Sequence, residues 1–454
     1  MSSVRAGTGT FLIHPRSHPS SKTELSLDTV PPTQMAITKT FVTEYHPVAA
    51  VTGDKPLIEF MIPPSMNQFI DLDDSYLYVR FKYTPYKATS ATDKTPMKMI
   101  AGEAGPVNNL MHSLFSKVEV QLGGTTVTPS TEYYPYRAYF EKLLGYGPRA
   151  KKSYLTGAGW WTEGNDEDVE NLSAGHAAAR PVNSEIELCD KLHFDLANQS
   201  RLIIPGVPLK ISLQANSPSF YIQAKTKDTI LKHEVEFLEA TLFIKHVIVS
   251  DYQYMLTEKE VQKNGALYPI SRNVIKLMYI PVGSTTKPLE NEFSGQLPRR
   301  ITLGLVKNSS LKGDFYSSPF FFSDHGLSEL SCRVNGEQIP YQSYKPNFSS
   351  SPKRALKEYL ALYRAMNQMN VDPILNLTFD KFLKGYTLFS FNLAPDGSDG
   401  CEGHLNPIKS GNISFEFTFR EPTTTTLTAV AFCEYDNIIS IDKDRNVNLD
   451  WHGT

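Results

Sequence analysis

The sequence predicts an all-β protein built as two tandem eight-stranded jelly-roll β-sandwiches, each with one inserted helix. Three observations predict it. A compound unit running from Lys117 to Gly147 recurs, element for element, roughly 200 residues later. The composition, with 23 Tyr, 25 Phe, 30 Pro and 27 Gly among 454 residues, favours many strands joined by tight turns. Period-2 alternation then marks about eight strand candidates in each half, the number that closes two sheets into a sandwich.

The compound unit opens as a strand, with Val118, Val120 and Leu122 on one face and Glu119 and Gln121 on the other. Gly123-Gly124 supplies a turn with positive φ, and after a Pro/Ser/Thr connector the period lengthens to that of a helix. Tyr136, Tyr139, Phe140, Leu143 and Leu144 share one face of that helix, which Gly145 and Gly147 close. In the second copy Leu330, Cys332 and Val334 alternate, and Asn335-Gly336 gives a type I′ turn. A helix over Pro352 to Met369 then carries Leu356, Tyr359, Leu360, Tyr363 and Met366 on one face. Downstream, HFDLA at His193 to Ala197 answers SFNLA at Ser390 to Ala394. Each precedes an alternating strand: Leu209, Ile211 and Leu213 in one half, and Ile413, Phe415, Phe417 and Phe419 in the other.

Taken in order, residues 1–40 read as a flexible N-terminal arm, rich in Ser, Thr, Pro and Gly. Residues 41–260 form the first jelly roll, with strands over Leu57 to Ile62, Ser75 to Tyr83, Leu192 to Leu196, Arg201 to Ile204, Val207 to Gln214, Phe220 to Ala224 and Val235 to Ser250. Thr84 to Gly105 is a polar loop. Pro148 to Ser184 is a long surface excursion in which Trp160-Trp161 serve as an anchor or, on the sharper reading, an exposed binding patch. A short polar helix at residues 251–265 marks the boundary. Residues 261–441 form the second jelly roll, with strands over Ala266 to Pro281, Phe293 to Val306, Tyr386 to Leu393, Ile413 to Phe419 and Leu427 to Ile441, and an aromatic core knot at Pro319 to Phe322. Residues 442–454 read as a polar tail trailing away from the sheet.

Charge and cysteine usage exclude several function classes. The net charge is −3 with 20% charged residues, so the fold as a whole is not built to neutralise a polyanion. Cys189, Cys332, Cys401 and Cys433 show neither CxxC spacing nor the density of a disulfide framework, and read as reduced thiols. No apolar run approaches a membrane span, and the first residues lack a signal-peptide core, so a soluble chain made in the cytosol is expected. Six Asn-x-Ser/Thr sites, at Asn171, Asn198, Asn308, Asn347, Asn376 and Asn412, are ascribed to chance.

A search for chemistry names no catalytic, cofactor-binding or metal residue, and no cofactor. HExxH, GxSxG and P-loop patterns are missing, and Gly157-Ala158-Gly159 leads into two Trp instead of a helix. Asp442, Asp444 and Asn446 imitate a calcium loop, but Val447 stands where Gly is needed and no Glu closes it. Asp396 to Gly400 is a turn by composition. His233, Glu234 and His246 lie on strands as ordinary residues, and Arg149, Lys151 and Lys152 form a solvated basic face.

FSGQLPRRI (Phe293 to Ile301), KPNF (Lys345 to Phe348) and GYTLFSFNLAPD (Gly385 to Asp396) give the chain a resemblance to the major capsid proteins of the adintovirus and Maverick/Polinton group. MHSLFSKVEVQLGG at Met111 to Gly124 and the closing NIISIDKDRNVNLD are similar in style, and the likeness runs from about residue 40 to 450. The resemblance implies a double jelly roll standing in a homotrimeric, pseudo-hexagonal capsomer that tiles an icosahedral shell around double-stranded DNA. It further implies a virion location, partnership with penton and minor capsid proteins, and no catalytic residues. The arm carries Arg5, Arg16 and Lys22 before its first acid, Glu24, and is a candidate for non-specific lumenal contact with DNA or for clamping a neighbour. Two rival readings remain open: a monomeric two-domain β-sandwich that binds glycans or proteins, and a β-sandwich hydrolase with an unfamiliar carboxylate pair.

Overall fold

The structure, a computed structural model, describes the chain except for residues 1, 7–8, 15, 19, 21, 29, 52–55, 89–96, 99–103, 129–132, 162–182, 225–229, 398–403 and 452–454. Expectations for Asn171, Cys401, the end of the Asp396 to Gly400 turn, and much of the Thr84 to Gly105 and Pro148 to Ser184 loops therefore lie outside the described residues.

The first half contributes β1 (Ile37–Tyr45), β2 (Leu57–Ile62), β3 (Gln68–Ala88), β4 (Phe115–Leu122), β5 (Thr125–Thr126), β6 (Glu185–Asp190), β7 (Leu209–Ala215) and β8 (Ile230–Val249). They form two antiparallel sheets, ordered β6-β3-β8-β1 and β2-β7-β4-β5. The second half contributes β9 (Ala266–Ile280), β10 (Thr286–Gln296), β11 (Arg300–Lys307), β12 (Leu327–Val334), β13 (Glu337–Gln338), β14 (Leu388–Asn392), β15 (Ser410–Phe419) and β16 (Leu427–Ile441). Their sheets run β14-β11-β16-β9 and β10-β15-β12-β13. Adding eight to each label of the first half gives the second, so the halves share one topology.

The inward residues are those the alternation predicts. Ile58, Phe60 and Ile62 of β2 are buried while Leu57 and Met61 face out. Leu209, Ile211 and Leu213 line the first core, and Ile413, Phe415, Phe417 and Phe419 the second. Both hairpin turns take the positive φ that their sequence demands, at Gly123-Gly124 and at Asn335-Gly336. The first helix, α1 (Tyr134–Gly145), lies between β5 and β6. The boundary helix α2 (Asp251–Asn264) starts on Ser250, whose hydroxyl accepts from the Gln253 N–H, and ends at Gly265. The second inserted helix, α3 (Leu356–Ala365), lies between β13 and β14.

Five expectations are corrected. Leu192 to Leu196 and Arg201 to Ile204 are not strands: Asp195–Asn198 is a 3₁₀ turn, and Ile203 makes one bridge to Ile70. The strand is Glu185–Asp190 upstream, whose alternation of Ile186 and Leu188 with acids is too short to stand out. HFDLA and SFNLA therefore differ in form, since the Asp195 carboxylate is drawn away from the sheet by Arg137. Pro218–Tyr221 is a helical turn, and only Ile222–Ala224 of the expected strand pairs. The second helix is shorter than expected, because the backbones of Asn347 and Arg354 bond to each other and hold the approach extended. It also buries Glu358, Leu362, Tyr363 and Ala365, leaving Leu356 and Leu360 exposed.

The last two corrections concern the termini. Residues 442–451 do not trail away. The Asp442 carboxylate accepts from the N–H groups of Asp444 and Asn446, closing a turn that returns Val447–Leu449 as strand β17 along β16. Trp451 then covers the Arg272 guanidinium. Within the stretch read as a flexible arm, Ser2–Ala6 and Gly9–Ile13 pair as an antiparallel hairpin, and Ile37 already belongs to β1.

Candidate functional site: the seam between the sandwiches

The two halves share one continuous apolar core, and α1 is the element that joins them. Pro135 fits the first turn, where its missing N–H costs nothing. The remainder of the helix is apolar on nearly every side, the mark of a helix covered all round. Tyr139 stacks on Phe320 of the second half at 4.2 Å between ring centres, nearly parallel. Phe140 lies on Phe322 and Phe432 at 5.3 and 5.5 Å, and Tyr136 meets Phe320 edge-on. Phe322 reaches this position because Gly304 on β11 has no side chain: a Cβ there would lie 2.3 Å from the ring. The Pro319 to Phe322 knot is thus core, but the core of the seam. Trp160 is buried on the other side of Tyr139 at 5.3 Å, anchoring its loop, and Trp161 donates its backbone N–H to Asn108.

A buried polar network crosses the same seam. Arg137 donates to Glu141 at 2.9 Å and to Asp195 at 2.6 Å. From β9, Asn273 donates its backbone N–H to Asp195 at 3.1 Å and its side-chain amide to Glu141 at 2.8 Å. Glu141 also lies 2.7 Å from His193 Nδ1. Burial pushes the Glu141 carboxyl up, but Arg137, His193 and Asn273 together outweigh it and hold it well below the usual carboxylate range. For Asp195 burial prevails over Arg137, and its carboxyl is raised. On the second half, Arg300 forks onto Glu434 and Arg299 donates to Asp436 at 2.6 Å, so the Arg pair of FSGQLPRRI fixes β16 beside the seam.

Next to this network His112, Asp190 and His193 bring their ligand atoms within 4.8 Å of one another. The spacing would suit a metal ion, but a cation already stands there. Lys142 Nζ sits 2.5 Å from Asp190 Oδ2 and donates to Asn109 Oδ1 at 2.9 Å. His112 is committed at both nitrogens, to Tyr134 OH at 2.8 Å and to Asp190 at 3.1 Å. Burial, aided by the Lys142 charge, pushes the His112 pKa down to about 3, so its ring is neutral in the fold. The cluster is an internal ion pair with its lone pairs occupied, a structural device that makes a unique packing.

The other residues weighed for chemistry are scattered. Asp442 is spent on its own turn, and His246 is buried beside Tyr45 OH at 3.1 Å with its pKa lowered by burial. Lys151 does not belong to a solvated face: it is buried, donates to the Leu143 carbonyl at the end of α1, and burial lowers its pKa to about 8. Cys189, Cys332 and Cys433 are free thiols. Arg137, Glu141 and Lys142 went unnoticed in the sequence, although charges inside an otherwise apolar helix are a legible sign of buried partners.

No family model matches this chain. It is 25% identical over 401 residues to an uncharacterized protein of Caenorhabditis elegans, covering 86% of this chain and 93% of the relative. Among solved structures it resembles a chain of the Sputnik virophage with a TM-score of 0.63 at 10% identity, covering 96% of this chain and 93% of that one. The PBCV-1 virus capsid gives 0.57 at 10% identity, covering 94% and 100%. The mavirus major capsid protein gives 0.55 at 11% identity, covering 99% and 97%.

The chain has the double jelly-roll fold. In this double jelly roll the seam is the most heavily built region: aromatic stacking supplies its area, and the Arg137–Glu141–Asp195–Asn273 network fixes its register. Among the described residues no helix is long and apolar enough to cross a membrane.

Proposed function

We propose that this chain is a major capsid protein, acting by geometry alone. The observation that carries the reading is the full-length match to capsid-forming double jelly rolls, with two halves of one topology locked by a buried seam. A rigid pair of sandwiches is a building block, and its surface loops are free to vary with what they face. Residues 41–260 and 261–441 are the two jelly rolls of this reading, dividing at α2. Three chains close into a pseudo-hexagonal capsomer through heterologous contacts, and weaker contacts between capsomers tile an icosahedral shell around double-stranded DNA. Penton and minor capsid proteins complete the shell. The protein resides in the virion, and residues 1–40, basic at their start, face the lumen or a neighbouring capsomer.

The motif likeness to the adintovirus and Maverick/Polinton group refines this reading. A relative in Caenorhabditis elegans is what an element carried in animal genomes would leave. Size-exclusion chromatography with light scattering on the purified chain, followed by negative-stain microscopy, is the test. Trimers and hexagonal plaques or shells are expected. A chain that stays monomeric at high concentration would remove the capsomer reading and favour the glycan- or protein-binding module.

A further inference from the structure

The duplication lets the chain be compared with itself, and one surface is used in the first half and left open in the second. Helices α1 and α3 occupy the same place, between the fifth and sixth strands of their halves, and carry apolar residues at the same spacing. Tyr136, Tyr139, Phe140 and Leu143 of α1 correspond to Leu356, Tyr359, Leu360 and Tyr363 of α3. All four in α1 are buried, the first three against aromatic rings of the second half. In α3, Tyr363 is held inside its own half by bonds to the carbonyls of Leu375 and Leu377. Leu356 and Leu360, the counterparts of Tyr136 and Phe140, are 55% and 38% exposed.

The receiving strands differ in the same way. Strand β9 lies beneath α1 and the Asp195–Asn198 turn, and Arg272, Asn273, Val274 and Ile275 are all buried, on both faces of the strand. Strand β1 holds the same position in the first half, beside β8 as β9 lies beside β16. Its residues Ile37, Thr38, Lys39 and Thr40 are all exposed, and Val42 is 48% exposed. The molecule therefore carries two helix faces and two strand faces of matched kind, and one of each has no cover. Exposed apolar side chains grouped on one helix face are the mark of a contact surface.

We propose that the exposed face of α3 in one copy docks on β1 of a second copy, repeating between chains the seam that α1 and β9 make within one. The occupant is a second copy because this chain already shows that the two element types fit each other. Donor and acceptor lie on different halves, so the contact is heterologous and copies join head to tail. The proposal rests on the capsomer reading only for the closure of that chain of contacts at three copies.

The test uses the full chain. With Val42→Cys and Leu360→Cys together, a short bismaleimide is expected to link copies in a ladder ending at three chains, while either substitution alone gives no ladder. Leu356→Asp with Leu360→Asp is expected to shift the light-scattering mass from oligomer to monomer with an unchanged thermal midpoint, since both residues are exposed in the isolated chain. A wild-type trimer that the Asp pair leaves intact, and that the Cys pair does not link, would overturn the proposed surface while sparing the capsomer reading. A wild-type chain that is monomeric throughout would overturn both.

Discussion

Helices α1 and α3 descend from one pattern and meet different fates. Ten of the twelve α1 residues are buried, whereas α3 buries only Glu358, Leu362, Tyr363 and Ala365. The difference lies in what the neighbouring sandwich supplies. Around α1 the second half brings Phe320, Phe322 and Phe432, and Asn273 meets its polar groups. Around α3 the chain supplies only its own half, with Tyr359 on Phe379 and Phe382 and the Lys345 N–H on Glu358. An amphipathic helix in a duplicated fold thus reports one covered face, and the placement of the halves decides whether a second is covered.

The sharpest way to break this comparison is to remove the same kind of group from each helix. Phe140→Ala should lower the stability of the isolated chain by about 3–5 kcal/mol, the cost of emptying a filled aromatic site. Chemical denaturation monitored by Tyr and Trp fluorescence would measure it, and a loss near zero would show that the seam is not a shared core.

Acidification comes next. The folded pKa of His112, about 3, lies below its ordinary value of 6.5, chiefly through burial. The unfolded chain therefore binds the extra proton first: the contribution of neutral His112 is fully present above pH 6.5 and is lost progressively as pH falls towards 3. The loss should reach a few kcal/mol, on the order set by linkage. Glu141 and Asp190, held low by their partners, add to it at more acidic pH. Denaturation midpoints from pH 7 to 4 should fall more steeply for wild type than for His112→Gln; equal slopes would remove His112 from the account.

Gly304→Ala is expected to cost about 1–3 kcal/mol, because the new methyl displaces the Phe322 ring on which Phe140 rests. Thermal melting would report it, and no change in midpoint would mean that Phe322 has room to move. The smallest effect belongs to Leu360→Ala, below about 1 kcal/mol in a dissociated chain, since the side chain is already partly in water. A loss comparable to that of Phe140→Ala would erase the contrast between the helices.

By itself the sequence determined the strands, turns and repeat of this protein. Alternation in β2, β7 and β15, the Gly123-Gly124 and Asn335-Gly336 turns, and both helices are local properties, encoded by neighbours a few residues apart. Short edge strands such as Glu185–Asp190, and the return of Val447–Leu449 to β16, carry too few residues for periodicity to show. Only the tertiary structure decided which apolar faces meet. It set Arg137 against Asn273, Lys142 among His112 and Asp190, and Phe140 on Phe432, and it left Leu356 and Leu360 uncovered. A period in the sequence says that a face avoids water; what covers that face comes from parts of the chain far away, brought there by the packing of one sandwich on the other.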